Sequence, residues 1–240
     1  MQICSCVLPY GGIKLKDKGA DSQRQVQLKV PTHIQSYSWD CGLACCCMVL
    51  RYFKRNVHSV YTSDFEALNC GESIWTIDLA YLFKFHDIRT KLTTVTLGVD
   101  QEYAKKPFYK IHFNQDEDRV GKMFSEAASN NIEVEKCSVP ISDIVNHVAK
   151  ENLVICLVDW NYLECIWCDK RRPCFSCFKW CCGTYQGHFV VVCGFDQRKK
   201  RVFYKNPSYD EDVCCSRMDK FDKARKSHGT DEDTLFIFNP

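Results

Sequence analysis

The chain has 240 residues, of which 45% are hydrophobic and 26% are charged, so it can bury one sizeable core. Its 32 basic and 30 acidic residues leave a net charge of +2, which does not favour a nucleic acid or an anionic membrane as an obligate partner. No apolar run reaches the roughly 18 residues that span a bilayer, and residues 1–10 lack the pattern of a secretory signal. We therefore expect a cytoplasmic protein, or a nuclear one if the basic run 198–201 is a targeting signal rather than an exposed hairpin tip.

Eighteen cysteines are many for a chain of this length. In a secreted protein they would indicate a disulfide framework, but the pattern of the first residues favours a reducing compartment. Cysteines in that setting serve as small buried hydrophobic residues, metal ligands or nucleophiles. The neighbours of each group of cysteines then decide among these three roles.

The predicted elements begin after an N-terminal arm, residues 1–29, which has no hydrophobic period and is expected to be loosely ordered. Residues 30–240 are predicted to form one domain. Its first half is mostly helical, with helices starting at Cys41, Ser63 and Asp116, a further helix for which Thr76 is the predicted N-cap, and one strand at 89–96. Its second half is mostly extended, with strands at 132–137, 153–158, 188–195, 202–205 and 235–238 and helices after Pro140 and over 219–227. This order predicts an α+β domain whose helical part packs on an antiparallel sheet, with a cleft between them.

The segment 35–53 is the first candidate for chemistry. It places Cys41 where a loop becomes a helix, with Asp40 as the predicted N-cap residue. The first turn of a helix has unpaired N–H groups and a positive partial charge, so we expect the pKa of Cys41 to lie below the reference value of about 8.5. Gln35, six residues upstream, can supply an amide donor to an oxyanion. One short segment is therefore predicted to supply a nucleophile and the group that stabilises its product.

A nucleophilic cysteine needs a base, and His188 at the start of a predicted strand is the best of the seven histidines. Gly187 leaves space beside its ring. Either Asn206 or Asp196 could orient the other ring nitrogen. Asp196 lies at the hairpin tip, whereas Asn206 ends the antiparallel partner strand and returns to the level of His188. Pairing geometry therefore favours Asn206.

The order of these residues is that of papain-like cysteine peptidases, since His188 and Asn206 follow Cys41 by 147 and 165 residues. The motifs Gln35, 40–42 (Asp-Cys-Gly), 187–191 (Gly-His-Phe-Val-Val) and 206–207 (Asn-Pro) resemble those of the C39-like branch. The resemblance implies a papain-like fold, a triad of Cys41, His188 and Asn206 with Gln35 at the oxyanion, and a peptide or protein substrate.

A narrower resemblance covers the chain from about residue 31 onward. The segments 39–45, 73–82, 96–99, 185–189 and 229–233 resemble those of the eukaryotic guanylyl cyclase domain-containing family. That name implies cyclisation of GTP, which normally uses two metal-binding carboxylates and cationic groups for the triphosphate. The dense acidic group 231–233 is interpreted instead as a solvated turn. We therefore predict a cysteine hydrolase acting on an amide or ester bond, with a guanylyl cyclase or a non-catalytic adaptor module as alternatives.

A cysteine-rich insert is predicted at about 163–184. It contains two CxxC knuckles, Cys165 with Cys168 and Cys174 with Cys177, and four thiolates at about 2.3 Å would close a structural Zn²⁺ site. The alternatives are a redox-active CxxC pair, disulfides or an iron–sulfur cluster. Because the insert directly precedes Gly187 and His188, a bound metal would also anchor the strand that carries the base.

Overall fold

The computed structural model describes residues 25–99, 113–168, 185–210 and 212–240. The predictions for residues 1–24 and for Cys174 and Cys177 lie outside these ranges. The helices are α1 Cys41–Tyr52, α2 Ser63–Leu68, α3 Thr76–Phe85, α4 Phe113–Glu126, α5 Ile141–Val148 and α6 Met218–Arg225, and a 3-10 turn covers Ala128–Asn130. The strands are β1 Gln25–Gln27, β2 Thr90–Thr94, β3 Glu133–Lys136, β4 Leu153–Asp159, β5 Gly187–Asp196, β6 Arg201–Lys205, β7 Cys214–Arg217 and β8 Thr234–Ile237.

The eight strands form one sheet in the order β3-β2-β8-β4-β5-β6-β7, with β1 paired to the far end of β5. Among these described strands every pair is antiparallel except β2 with β3, which is parallel. Helices α1 and α3 lie against the sheet on one side and α5 and α6 on the other. The predicted α+β class is therefore confirmed. Over the described residues, no helix combines the length and apolarity needed to cross a bilayer.

Strands β4 and β5 form the centre of the sheet and are buried on both faces. Their alternate residues belong to different apolar clusters: Ile155 and Val191 pack with α1, whereas Val154 and Val192 pack with α5. This explains why 153–158 is a continuous apolar run rather than an alternating one. The register pairs Val158 with His188, so the start of β5 meets the end of β4 at one edge of the core.

Two local predictions are wrong, and one strand was missed. Ordered structure begins before residue 30, because Gln25–Gln27 adds a strand to β5. The strand β7 was not predicted, because its sequence Cys-Cys-Ser-Arg does not alternate between apolar and polar residues. Helix α3 is capped through Trp75, whose backbone N–H donates to Asp78 at 2.8 Å, while Thr76 is its first helical residue.

Candidate active site

Cys41 is the first residue of α1, and its side chain is only 7% exposed. The helix begins against strand β5, and Gly42 makes that approach possible. A Cβ atom at position 42 would lie 3.1 Å from side-chain atoms of Ile74, Leu79 and Phe189, which is closer than ordinary packing. The glycine thus allows the sulfur of Cys41 to sit beside the start of the strand that carries His188.

The side chain of Asp40 does not cap α1, contrary to the prediction. Its carboxylate instead accepts hydrogen bonds from the backbone N–H groups of Ser36 and Tyr37, both at 3.0 Å, and from the Tyr61 hydroxyl at 3.1 Å. These bonds fold the loop before the helix back on itself. Asp40 therefore holds the loop that follows Gln35 rather than the helix that follows Cys41.

The prediction that the helix terminus acidifies Cys41 is wrong. Burial raises the pKa of Cys41 to about 11, and this outweighs backbone hydrogen bonds to Phe189 and Gly42, which act in the opposite direction. The backbone bond to Phe189 nevertheless joins the two halves of the site, because Phe189 is the residue after His188. The thiol is protonated at neutral pH, so a base has to remove its proton.

His188 is buried, with 2% exposure, and its Nε2 atom lies 2.9 Å from Oδ1 of Asn206. The same oxygen accepts the backbone N–H of Ser208 at 3.0 Å. A backbone N–H can only donate, so this atom of Asn206 is the oxygen and His188 must donate to it. The neutral ring therefore carries its proton on Nε2 and leaves Nδ1 as the basic nitrogen. Asp196 accepts the backbone N–H of Lys199 at 2.9 Å, at the opposite end of β5.

Burial lowers the pKa of His188 to about 4, against the opposing effect of the Asn206 hydrogen bond. Trp160 contributes to this burial, since its ring stacks on the imidazole with centroids 4.1 Å apart and planes inclined by 20°. The prediction from sequence missed Trp160. The antiparallel pairing of β4 and β5 was the available signal, because Val158 pairs with His188 and Trp160, two residues further along the chain, follows Val158 on the same face.

The predicted space beside Gly187 is filled by the Tyr185 ring rather than left for the imidazole: a Cβ atom at 187 would lie 2.7 Å from the Tyr185 hydroxyl. Gln35 is held by the segment that follows Asn206. Its backbone N–H donates to the Pro207 carbonyl at 2.9 Å, and its Oε1 accepts the Ser208 hydroxyl at 2.7 Å. Its Nε2 donates to the Tyr37 carbonyl at 2.6 Å, which leaves one N–H of the amide for another acceptor.

Cys41, His188 and Gln35 line one cleft with a volume of about 530 Å³. Trp160, Gly187 and Phe189 lie at the same end of it. The remaining described wall comes from the turn before α3, the start of α4 and the loop before β8, and consists of Glu72, Ser73, Ile74, Trp75, Thr76, Asp116, Gly229, Asp231 and Asp233 together with Ser38, Trp39, Leu157, Gln186 and Ser208. The structure thus brings the predicted nucleophile, base and oxyanion donor to one concave surface.

The profile of a protein family described as guanylylate cyclase matches residues 30–237. The chain belongs to this family. Guanylyl cyclase 1 of Arabidopsis thaliana is a relative with 33% identity over 230 residues, which cover 93% of this chain and 80% of that protein. A solved structure of a protein described as a C39-like peptidase from Bacillus anthracis superposes with a TM-score of 0.51 and 12% identity, over 90% of this chain and 98% of that one. This member of the guanylylate cyclase family therefore has the fold of a C39-like peptidase, as predicted.

In this family member the acidic segment 231–233 is not the solvated turn that we predicted. Asp233 is 8% exposed, and its Oδ2 accepts the Thr76 hydroxyl at 2.5 Å. Burial raises the pKa of Asp233 to about 7, although hydrogen bonds from the Thr76 and Thr94 side chains oppose the shift. Asp231 accepts the Thr96 hydroxyl at 2.9 Å. Two of the three carboxylates therefore line the cleft.

Three cysteines outside the cleft lie close enough to bind one metal ion. The sulfurs of Cys165, Cys168 and Cys214 are all within 4.8 Å of one another, with 3.0 Å between the first two and 3.6 Å between the last two. The backbone N–H groups of Cys168 and Cys215 donate to the Cys165 sulfur at 3.3 and 3.4 Å. Hydrogen bonds with the Cys214 and Cys168 thiols help to lower the pKa of Cys165 to about 5. Cys214 was missed from the sequence because β7 was not predicted.

Proposed function

We propose that the chain is a cysteine hydrolase that cleaves an amide or ester bond, with a peptide or protein as substrate. The supporting observation is that Cys41 and His188 line one cleft while Asn206 fixes the tautomer of His188. That tautomer leaves Nδ1 as the basic nitrogen. A neutral thiol and a neutral imidazole are a nucleophile and base that act together, rather than a preformed ion pair.

The reaction begins when Nδ1 of His188 takes the Cys41 proton as the sulfur attacks the carbonyl carbon. The carbonyl oxygen becomes an oxyanion, which accepts hydrogen bonds from the remaining N–H of Gln35 and the backbone N–H of Cys41. His188 then returns its proton to the departing amine or alcohol, and a thioester remains on the sulfur. Water, deprotonated by His188, attacks the thioester carbonyl, the C–S bond breaks to release the acid, and the proton on His188 returns to the Cys41 sulfur.

Labelling with a thiol-directed electrophile tests this proposal, with peptide mapping by mass spectrometry. Cys137, a partly exposed cysteine outside the cleft, is the internal reference. We expect Cys41→Ala to lose the cleft label, keep the Cys137 label and remain folded by circular dichroism. His188→Ala should slow the labelling of Cys41 alone. Unchanged labelling of the cleft peptide in Cys41→Ala would contradict the assignment of Cys41 as the nucleophile.

The guanylyl cyclase activity in the name of the Arabidopsis relative is the alternative. The described lining of the cleft includes four carboxylates and neither Lys nor Arg, so it offers no cation to a triphosphate. A cyclase would show a rise in melting temperature with GTP and Mn²⁺. An adaptor would show neither labelling nor a nucleotide effect, and would retain its partner in the Cys41→Ala variant.

We also propose a structural Zn²⁺ at Cys165, Cys168 and Cys214. Thiolates bound at about 2.3 Å to a tetrahedral ion lie about 3.8 Å apart. The Cys168 and Cys214 sulfurs are 3.6 Å apart, all three sulfurs lie within 4.8 Å of one another, and the Cys165–Cys168 pair at 3.0 Å would have to open by less than 1 Å. Hydrogen bonds from backbone N–H groups to the Cys165 sulfur are the supporting contacts that thiolate ligands need. None of the three residues lines the cleft, so the role would be structural.

The ligand Cys214 has a matched control in Cys215, which is equally buried on the opposite side of the same strand. Protein is purified without added metal, and its zinc is measured by mass spectrometry. We expect about one ion per chain in the wild type and in Cys215→Ser, and a large loss in Cys214→Ser. A folded wild-type sample without zinc would contradict this proposal and leave the hydrolase proposal unaffected.

A further inference from the structure

Lys205, the last residue of β6, is a buried lysine that the proposed chemistry does not use. Its side chain is only 1% exposed, and it directly precedes Asn206, which orients His188. Lysine is rarely buried this completely, because its charged group loses contact with water. Its counter-ion in the described structure, Asp212 at 3.2 Å, is 99% exposed, so the ion pair contributes little to the free energy of unfolding. Retention of a buried lysine here therefore needs a reason other than this ion pair.

The three N–H donors of the Lys205 ammonium group are all used. Nζ donates to the Thr32 hydroxyl at 2.7 Å, to the backbone carbonyl of Asp212 and to the Asp212 carboxylate at 3.2 Å. Thr32 lies three residues before Gln35, and Asp212 lies six residues after Asn206. The lysine therefore joins the loop that carries the proposed oxyanion donor to the segment that carries the partner of the base.

Thr32 is the main attachment of this loop to the rest of the molecule. The loop begins after Leu28, whose backbone N–H still donates to strand β5 at 2.7 Å, and reaches Gln35 seven residues later. Between these two residues, the described hydrogen bonds to other segments of the chain both involve Thr32: one from Lys205 to its hydroxyl, and one of 3.5 Å from Arg51 to its carbonyl. The Arg51 contact is long for a hydrogen bond. The bond from Lys205 is thus the shorter of the two that hold the loop before Gln35.

This bond lies beside the contacts that hold Gln35 itself. Residues 32–35 run next to residues 205–208, because Thr32 meets the first residue of the second segment while Gln35 meets its last two. An oxyanion donor is effective only when its N–H points at the developing charge, and a displacement of about 1 Å can cost on the order of 10²-fold in rate. Attachment at both ends of this four-residue run keeps the Gln35 amide in one position.

We propose that Lys205 is a positioning residue for the oxyanion donor: it holds Thr32 so that the Gln35 amide faces the carbonyl oxygen of a substrate bound at Cys41. The inference rests on the proposed hydrolase function for the identity of that oxygen. Lys205 is not part of the described lining of the cleft, so it acts through the loop rather than on the substrate. Its removal should slow reactions that form an oxyanion and spare reactions of the same thiol that do not.

Two reactions of Cys41 separate these cases. Acylation by an activated peptide ester passes through an oxyanion, whereas alkylation of the sulfur by iodoacetamide does not. We expect Lys205→Met to slow acylation at least about tenfold and to change alkylation by less than about twofold. Thr32→Val, which replaces the hydroxyl by a methyl group, should act in the same direction, and Thr32→Ser, which keeps the hydroxyl, should retain the wild-type rates. Lys199→Met, at the opposite end of the β5–β6 hairpin, should change neither rate.

A double variant identifies the route of the effect. The oxyanion donor is absent in Gln35→Ala, so adding Lys205→Met should cause no further loss of acylation rate. If Lys205 acted through Asn206 instead, its loss would slow alkylation as well and would add to the effect of Gln35→Ala. Either of these results, in a variant that remains folded by circular dichroism, would overturn the inference. Thr32→Val supplies the same test should Lys205→Met fail to fold.

Amide hydrogen exchange gives a readout that needs no turnover. We expect peptides covering 30–36 to exchange faster in Lys205→Met and Thr32→Val than in the wild type and Thr32→Ser. Unchanged exchange would overturn the inference even if the wild type is acylated. Faster exchange in a protein whose Cys41 is never acylated would support the role of Lys205 in holding the loop and contradict the hydrolase proposal.

Discussion

Nε2 of His188 donates to Oδ1 of Asn206 at 2.9 Å, and the backbone N–H of Ser208 holds that oxygen in place from the other side. This arrangement determines which ring nitrogen can act as a base. Because Pro207 and Ser208 also hold Gln35, one short segment after β6 positions both the base and the oxyanion donor. Its residues are therefore positioning residues for the chemistry proposed at Cys41.

Replacing Asn206 by alanine leaves the buried Nε2–H of His188 without an acceptor. We expect a loss of about 1–3 kcal/mol in the free energy of unfolding, measured by urea denaturation, and slower labelling of Cys41 because the ring is no longer oriented. Ser208→Ala is the matched comparison. It removes the hydroxyl bond to Gln35 but keeps the backbone bond to Asn206, so it should retain the rate of labelling by a simple alkylating agent. Equal effects of both variants would contradict these separate roles.

The pKa values of the two central groups predict an unusual pH profile for alkylation of Cys41. With a thiol pKa of about 11 and an imidazole pKa of about 4, both groups are neutral between these values. In this range His188 is a neutral base acting on a neutral thiol, so the base-assisted alkylation rate of the wild type should stay nearly level between pH 7 and 10. His188→Ala can react only through the thiolate fraction, which rises about tenfold for each pH unit, so its alkylation rate should rise by that factor for each unit over the same range. A wild-type rate that rises as steeply as that of His188→Ala would show that the imidazole does not act as the base.

The raised pKa of Asp233 predicts that the free energy of unfolding depends on pH in a direction opposite to that given by most carboxylates. Its pKa is raised from 3.8 to about 7, so its contribution to stability is complete below 3.8 and is lost as the pH rises through 7. The Asp233→Asn variant avoids this loss. We expect it to exceed the wild type in free energy of unfolding by on the order of 4 kcal/mol at pH 8 and to match it near pH 3.5. Parallel stability curves for the two proteins would contradict the shift.

Removal of metal should loosen one region of the molecule and leave the centre of the sheet unchanged. The proposed ion connects the chain after β4 to strand β7, where Ile166 already donates to the Cys215 carbonyl at 2.7 Å. We expect a chelator to speed amide hydrogen exchange at 165–168 and 214–217 and to leave 153–158 protected, since β4 lies between two other strands. Cys214→Ser should exchange quickly with or without chelator. Uniform acceleration across the sheet would indicate global unfolding instead.

Long periodic segments made the fold predictable from sequence, because β4, β5 and β6 combine apolar runs with a charged turn at 197–200 that joins the last two. The same reasoning failed where structure depends on distant contacts. Strand β7 is held by pairing with β6 and has no local pattern of its own. The prediction that Asp40 caps α1 also failed, because backbone N–H groups of the preceding loop donate to both of its carboxylate oxygens.

The candidate site was predictable in its members but not in its electrostatics. The positions of Cys41, His188 and Asn206 in the sequence were sufficient to suggest that they meet. The pKa of Cys41 depends on burial, which a helix-terminus argument ignores, and Asp233 is buried by the approach of Thr76 from a helix 157 residues away in sequence. Trp160 and Cys214 became visible only once the strand register was known.

The central claim is that Cys41 accepts an acyl group with His188 as its base. The most direct test is a rapid acid quench of the protein with an activated peptide ester, followed by mass spectrometry of the acylated peptide. We expect a thioester at Cys41 in the wild type that forms about 10²–10⁴ times more slowly in His188→Ala and not at all in Cys41→Ala. Acylation of Cys41 at the same rate in wild type and His188→Ala, or acylation only at other cysteines, would contradict it.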